Sequence, residues 1–412
     1  MTAGALKVLI VDDSAFMRTV IRQIVSTEAG FTVAGEAPDG LAALEALRTL
    51  KPDIVTLDVE MPGLDGIGVL KQAEPKAGMA PVFVMVSAFT TAGASLTLSA
   101  LQAGALDFVP KASENFNVDL AQVGTRLREK LAIAAAALRS RGGRSVPSRP
   151  PVTTAKGPAA PVSALQTPAA QASAAPMPSA RTGTVAPAPK TARTASTPAA
   201  PRGATPSVRA AAPPPMAGTA LAPDLVVVAA STGGPQTLPK LLQGLRRYPA
   251  PIVIAQHIPP MFSRSLADSL AQSVGIPACE AEDRMQLRPG TIYVLPGGTD
   301  GEIARDPQGH LLARLREGGE SPYHPSGDLL FRSAALAARR PVGVILTGMG
   351  QDGTEGAGAL AKRGRPILVQ DPSTAILWGM PRSAIDAGVA AEVLTVEDIA
   401  RRLRELAGDG EA

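Results

Sequence analysis

Three residues far apart in the chain, Ser231, His257 and Asp352, each stand just past an apolar run. Ser231 closes Asp224-Leu-Val-Val-Val-Ala-Ala-Ser231 and is followed by Thr232-Gly233-Gly234; His257 closes Pro251-Ile-Val-Ile-Ala-Gln-His257. Asp352 follows Val342-Gly-Val-Ile-Leu-Thr347 through the turn Gly348-Met349-Gly350-Gln351. Hydroxyl, imidazole and carboxylate are the types of a nucleophile, its base and the acid that orients the base. Short apolar runs of this kind read as strands, and an open parallel sheet binds ligands at its strand carboxyl ends. The three side chains could therefore meet there.

Each residue also has a plainer reading. A strand, a glycine turn and a helix after Ser231 would equally suit a phosphate or dinucleotide cradle. The G-x-G-x-x-G fingerprint and the Walker lysine are both absent. The G-x-S-x-G elbow is also unmatched, since the run reads Ala229-Ala230-Ser231-Thr232-Gly233. On residue type alone Ser231 is either nucleophile or turn residue. The chain has three histidines. His310 belongs to a turn at Asp306-Pro-Gln-Gly309 and is expected to face solvent, and His324 reads as a loop residue ahead of a helix capped by Ser326. Only His257 sits at a strand end in the same sheet as Ser231, which favours a general base over a structural histidine. Asp352 and Asp371 both follow strands, so the acid stays open between them, with Asp352 preferred.

A second constellation lies near the amino terminus. Lys7-Val-Leu-Ile-Val-Asp12-Asp13 and Asp53-Ile-Val-Thr-Leu-Asp58 end in carboxylates; Val82-Phe-Val-Met-Val-Ser87 ends in a hydroxyl, and Ala105-Leu-Asp-Phe-Val-Pro-Lys111 in an amine. Carboxylates crowded at neighbouring strand ends repel unless a hard cation such as Mg²⁺ sits among them. Such a cation would also neutralise phosphoryl oxygens while one carboxylate attacks phosphorus.

The elements that must position these groups fall into three stretches. Residues 1–138 and 223–412 alternate apolar strand-like runs with helical patterns, the sign of parallel α/β architecture. In the second stretch the runs are 224–230, 251–256, 291–295, 342–347 and 366–370, with helices near 235–246, 262–274, 326–338 and 354–363, and a hairpin around Gly301–Leu315. Between the two, residues 139–222 are rich in Ala, Pro, Ser and Thr and read as a disordered linker. They hold ten Lys or Arg and no acid. The whole chain carries 40 basic and 36 acidic residues, so the remainder is net −6. The linker lacks interleaved aromatic residues, which argues against nucleic-acid binding. A single cysteine, Cys279, excludes an internal disulfide and suits a reducing compartment. No apolar stretch approaches a membrane span, so a cytoplasmic protein without membrane insertion is expected.

Residues 5–125 resemble the receiver domain of response regulators. The resemblance implies a doubly wound parallel sheet with Asp58 as phosphoacceptor and Asp12, Asp13 and Asp58 around Mg²⁺. Ser87 and Lys111 would contact the phosphoryl group, and Phe108 holds the aromatic switch position. Receivers commonly have proline after this lysine; here Ala112 follows Lys111. The rest of the chain beyond the linker resembles the chemotaxis protein-glutamate methylesterases, the CheB type of response regulator. The matching pieces are Ala230-Ser-Thr-Gly-Gly234, Ala255-Gln-His-Ile-Pro259, Ala281-Glu-Asp283, Pro325-Ser326 with Asp328, Thr347-Gly-Met-Gly350 with Asp352-Gly353, and Gly379-Met-Pro-Arg382.

This second resemblance implies a three-layer α/β catalytic domain with Ser231 as nucleophile, His257 as base and Asp352 as orienting acid. The amides of Met349 and Thr232 are candidate oxyanion donors. Two departures stand out: Ala229 where the family usually has glycine, and Gly327 where a larger apolar residue is common. The implied function is phosphorylation-activated hydrolysis of γ-glutamyl methyl esters on chemoreceptors, with glutamine deamidation as a second activity. A chemotaxis histidine kinase would be the phosphodonor, and ester hydrolysis would need no cofactor. In the family the unphosphorylated receiver packs over the catalytic cleft. Effective concentration falls with linker length, so autoinhibition through about 84 residues is expected to be weaker than through a short linker. The alternatives are a non-catalytic receptor-binding adaptor or phosphate sink, and, behind it, a nucleotide-binding module.

Overall fold

The computed structural model describes residues 4–73, 81–87, 91–111, 120–140, 222–319 and 323–408. The Ala- and Pro-rich segment assigned to a linker lies outside the described residues, apart from its ends at 139, 140 and 222.

The amino-terminal sheet has five parallel strands in the order β2-β1-β3-β4-β5. They are β1 (Leu6–Val11), β2 (Phe31–Ala37), β3 (Ile54–Asp58), β4 (Val82–Ser87) and β5 (Asp107–Pro110). Between them run α1 (Ala15–Thr27), α2 (Gly40–Leu50), α3 (Gly66–Gln72) and α4 (Thr91–Gln102), and α5 (Leu120–Ser140) closes the domain. Side chains of a strand alternate between faces, so Leu9 and Val11 of β1 join one core layer while Leu6, Val8 and Ile10 join the other. Helix starts are capped by short polar side chains: Ser14 accepts from the Met17 amide and Asp39 from Ala42. The order places β1, β3, β4 and β5 side by side, so the runs ending in acid, acid, hydroxyl and amine deliver those groups to one edge.

The carboxyl-terminal sheet has seven parallel strands in the order β14-β13-β12-β6-β7-β9-β8. At its centre are β6 (Leu225–Ala230), β7 (Ile252–Gln256) and β12 (Pro341–Ile345); β9 (Ile292–Val294) and β13 (Ile367–Gln370) flank them. The outermost strands, β8 (Ala278–Glu280) and β14 (Glu392–Leu394), are three residues each. Alternation within β6 defines the three layers. Val226, Val228 and Ala230 pack on α6 (Gly234–Gln243), α7 (Phe262–Val274) and α11 (Val396–Ala407). Leu225, Val227 and Ala229 pack on α8 (Gly327–Ala337), α9 (Thr354–Ala361), α10 (Gly379–Asp386) and a hairpin. That hairpin, β10 (Thr299–Arg305) with β11 (Leu311–Glu317), is antiparallel and encloses the expected 301–315 segment. Every residue of β6 is buried. Burial of one large aliphatic side chain contributes about 1.5–3 kcal/mol, so this strand anchors the sheet.

The two α/β domains touch. Phe108 of β5 packs against Phe262 of α7, ring centroids 4.5 Å apart and tilted by 33°. Gln102 Nε2 donates to Ser269 Oγ at 2.9 Å, and Gln236 Nε2 donates to the Ala105 carbonyl. The apolar layer built on α4 continues into that built on α7.

Candidate functional site

Because β7, β6 and β12 are neighbours, Ser231, His257 and the 347–352 turn leave the same edge of the sheet. The chain reverses sharply after Ser231. Gly233 takes a left-handed conformation (φ +85°), and a Cβ on Gly234 would lie 1.8 Å from Gln256 Oε1. A Cβ on Gly348 would lie 2.8 Å from Ser231 Cβ, so this glycine lets the turn approach the hydroxyl. Gln256 Nε2 donates to the carbonyls of both Ser231 (2.9 Å) and His257 (3.0 Å), tying the two strand ends together. Ser231 and His257 line one cavity of about 180 Å³. Among the described residues no hydrogen bond joins Ser231 Oγ to the imidazole. Among these residues the amides of Thr232 and Met349 donate to no acceptor either.

His257 Nε2 lies 2.7 Å from Asp352 Oδ2, while Nδ1 is buried without a hydrogen-bond partner. The carboxylate thus takes one ring nitrogen and leaves the other for proton transfer. Asp352 is 4% exposed and fully satisfied. Its Oδ2 also accepts from the Gly327 amide (2.6 Å), and its Oδ1 from the Asp328 amide (3.0 Å) and Ser326 Oγ (3.2 Å). These donors form the start of α8, where free amides and the helix dipole favour an anion. Burial pushes the Asp352 carboxyl up, but the bond to His257 and the two amides outweigh it and hold it below the ordinary carboxylate range. A carboxylate depressed in the fold stabilises it above the unfolded value and loses that contribution as pH falls through the folded value. Wild-type denaturation midpoints should therefore drop as pH falls below about 4, and Asp352→Asn should show a shallower drop. Asp371 serves locally instead, accepting from the Ser373 amide at 2.8 Å.

The other two histidines differ from each other. His310 pairs with Asp306 at 2.9 Å on the surface, as expected of a turn residue. His324 is not a free loop residue. Its Nδ1 lies 3.0 Å from Asp300, whose buried carboxylate also accepts from the amides of Gly319 (3.2 Å) and Ser326 (2.9 Å).

In the amino-terminal domain Asp12, Asp13 and Asp58 bring their oxygens within 4.8 Å of one another. Lys111 Nζ reaches Asp58 at 2.6 Å and Asp12 at 3.1 Å, and the Lys111 amide donates to the Ser87 carbonyl at 2.7 Å. Lys111 is thus in place, although Ala112 lies outside the described residues. Burial pushes the Asp58 carboxyl up to about 6 against the pull of Lys111. Asp12 Oδ2 is buried with only the shared Lys111 amine beside it, and three carboxylates crowd together there. A hard divalent cation fits this donor set. Ser87 Oγ accepts from Thr97 Oγ1 at 2.7 Å.

A family model described as CheB methylesterase matches residues 226–403, and one described as response regulator receiver domain matches residues 8–120. The protein-glutamate methylesterase/protein-glutamine glutaminase 1 of Oleidesulfovibrio alaskensis is 36% identical over 401 residues, covering 97% of this chain and 98% of the relative. The chain belongs to this methylesterase/glutaminase family. The Thermotoga maritima relative of the same name is 33% identical over 410 residues, 98% of this chain and 100% of its own. The solved catalytic domain of Thermotoga maritima CheB methylesterase is 35% identical, covers 45% of this chain and 100% of its own, and has a TM-score of 0.44.

Ala229 and Gly327, the two positions singled out in the sequence, lie against each other. A Cβ on Gly327 would lie 2.8 Å from Ala229 Cβ and 3.1 Å from Asp352 Oδ2. The Ala229 methyl occupies the space in which a side chain at 327 would begin. Sequence reasoning missed three residues of this methylesterase-family site. Tyr323 stacks on His257, Asp300 anchors the loop that carries Tyr323, and Asp107 of β5 reaches across to Thr232, the neighbour of Ser231. The Asp107 carboxylate accepts from Thr232 Oγ1 and pairs with Lys130 Nζ at 2.9 Å. Asp107 stood inside an apolar run, a signal that could have marked it.

Proposed function

We propose that this protein is a phosphorylation-activated protein-glutamate methylesterase and protein-glutamine glutaminase acting on chemoreceptors. The observation that carries the reading is His257 gripped at one ring nitrogen by a fully satisfied Asp352, in the cavity that also holds Ser231. Ser231 Oγ attacks the γ-glutamyl ester carbonyl while the free nitrogen of His257 takes its proton. Asp352 fixes the imidazole and stabilises its charged form. The amides of Met349 and Thr232 receive the oxyanion, a contribution of about 3–4 kcal/mol per donor. Methanol leaves with the proton from His257, and water, deprotonated by the same base, releases glutamate from the acyl-enzyme. On glutamine the leaving group is ammonia.

Asp58 accepts a phosphoryl group from a histidine kinase, with Asp12, Asp13 and Asp58 as the residues that would hold Mg²⁺. The cation, when bound, offsets the charge gathered at these oxygens. Lys111, bonded to Asp58, and Ser87, at the end of the neighbouring strand β4, would contact the phosphoryl oxygens. The receiver controls access because its Asp107 ties Thr232, next to Ser231, in the unphosphorylated chain. Mass spectrometry of methylated receptor membranes tests the reading. Wild type should convert glutamyl methyl esters and selected glutamines to glutamate, and Ser231→Ala should leave both intact. Unchanged receptors with folded, phosphorylated wild type would favour the adaptor reading.

A further inference from the structure

Among the described residues the imidazole of His257 has a single side-chain hydrogen bond, at Nε2. One such bond sets an atom but not a plane, since the ring can still turn about the N···O line and its χ2 well is broad. A second constraint comes from Tyr323. Its ring lies parallel to the imidazole, with centroids 4.7 Å apart and 7° between planes, within the range of a stacked pair. We propose that Tyr323 is a positioning residue for His257. It holds the imidazole in the plane that keeps Nε2 on Asp352 and Nδ1 toward the nucleophile. This rests on His257 being the base of the proposed reaction.

The tyrosine can do this because its own place is set. The next residue, His324, is tied to the buried Asp300, and Ser326 caps α8 while donating to Asp352. A Cβ on Gly350 would lie 2.9 Å from the tyrosine hydroxyl, so the ring fits closely against that turn. One short segment, Tyr323–Ser326, therefore governs both partners: the ring sets the plane of His257, and Ser326 helps set Asp352. Tyr323 also divides two spaces. It lines the cavity beside Ser231 and a second cavity of about 630 Å³ with Gly350, Arg382 and Ser383. When His257 takes the serine proton, its positive charge develops over the tyrosine π-face, which attracts a cation. The stack thus favours the charged form that the transition state requires.

The experiment compares kcat and KM for methanol release from methylated receptor membranes, with a small-molecule phosphodonor present, for wild type, Tyr323→Phe, Tyr323→Leu and Ser231→Ala. Tyr323→Leu should lower kcat about tenfold with KM within about twofold of wild type, the split expected when an interaction matters only in the transition state. Tyr323→Phe, which keeps the ring, should retain kcat within about twofold. Wild-type kcat in Tyr323→Leu would overturn the proposal, as would a change in KM alone or equal losses in Leu and Phe. Methanol release that persisted in Ser231→Ala would overturn the catalytic reading itself, and the proposal with it.

Discussion

Asp107→Ala should raise methanol release by the unphosphorylated protein roughly tenfold to a hundredfold, the worth of a hydrogen bond to a charged group. Its stimulation by phosphodonor should shrink by the same factor. The physical basis is a four-residue strand with a functional contact at each end. Asp107 opens β5 and holds Thr232, adjacent to Ser231; Lys111, just past its other end, holds Asp58. In the proposed control mechanism a phosphoryl group on Asp58 changes what Lys111 must neutralise, and β5 links that amine to Asp107. The substitution also strands Lys130. Burial lowers the affinity of that amine for its proton, and Asp107 is the main group that raises it again. Without Asp107 the ammonium must be hydrated, which further weakens docking. Phe108 on Phe262 and Gln102 on Ser269 remain, so the domains stay associated but less tightly. The comparison to make is basal methanol release against release with phosphodonor, wild type beside variant. An unchanged basal rate would remove Asp107 from the control mechanism.

Gly327→Val should lower kcat about a hundredfold, because a misplacement near 1 Å in a catalytic constellation costs that much. The new Cβ would crowd both the Ala229 methyl and Asp352 Oδ2, and the Gly327 amide is itself a donor to that oxygen. Neither neighbour can yield freely, since Ala229 lies within β6 and Asp352 is held by four hydrogen bonds. Ala229→Gly in the same chain removes the closer of the two contacts, so that the new side chain can shift away from Asp352. The double variant Ala229→Gly/Gly327→Val should therefore recover most of the lost kcat, while Ala229→Gly alone should cost little. Strong non-additivity is the signature of residues that share one volume. Additive losses would mean that the two positions act independently.

The positions of Ser231, His257 and the acidic cluster were legible because apolar runs, glycine turns and polar strand ends all coincide there. The choice between Asp352 and Asp371 was not, since both follow strands. What separates them is contact: Asp352 meets His257, while Asp371 is spent on Ser373 two residues away. Strands β8 and β14 escaped notice because they are short edge strands only partly buried, without the fully apolar run that marks β9. Helix α11 was also missed, although Thr395 caps it and Val396, Ile399, Ala400 and Leu403 form its buried stripe. Asp107, Asp300 and Tyr323 take their roles from partners distant in sequence. Asp107 meets Thr232 across 125 positions, and no local pattern encodes such a pair.

Methanol release from methylated receptor membranes, with and without a small-molecule phosphodonor, tests the central claim most directly when wild type, Asp58→Asn and Ser231→Ala are compared. Wild type should release methanol faster with phosphodonor, Asp58→Asn should show the same low rate in both conditions, and Ser231→Ala should release none. Release by Ser231→Ala at the wild-type rate, or stimulation that survives in Asp58→Asn, would contradict a serine esterase gated by its receiver.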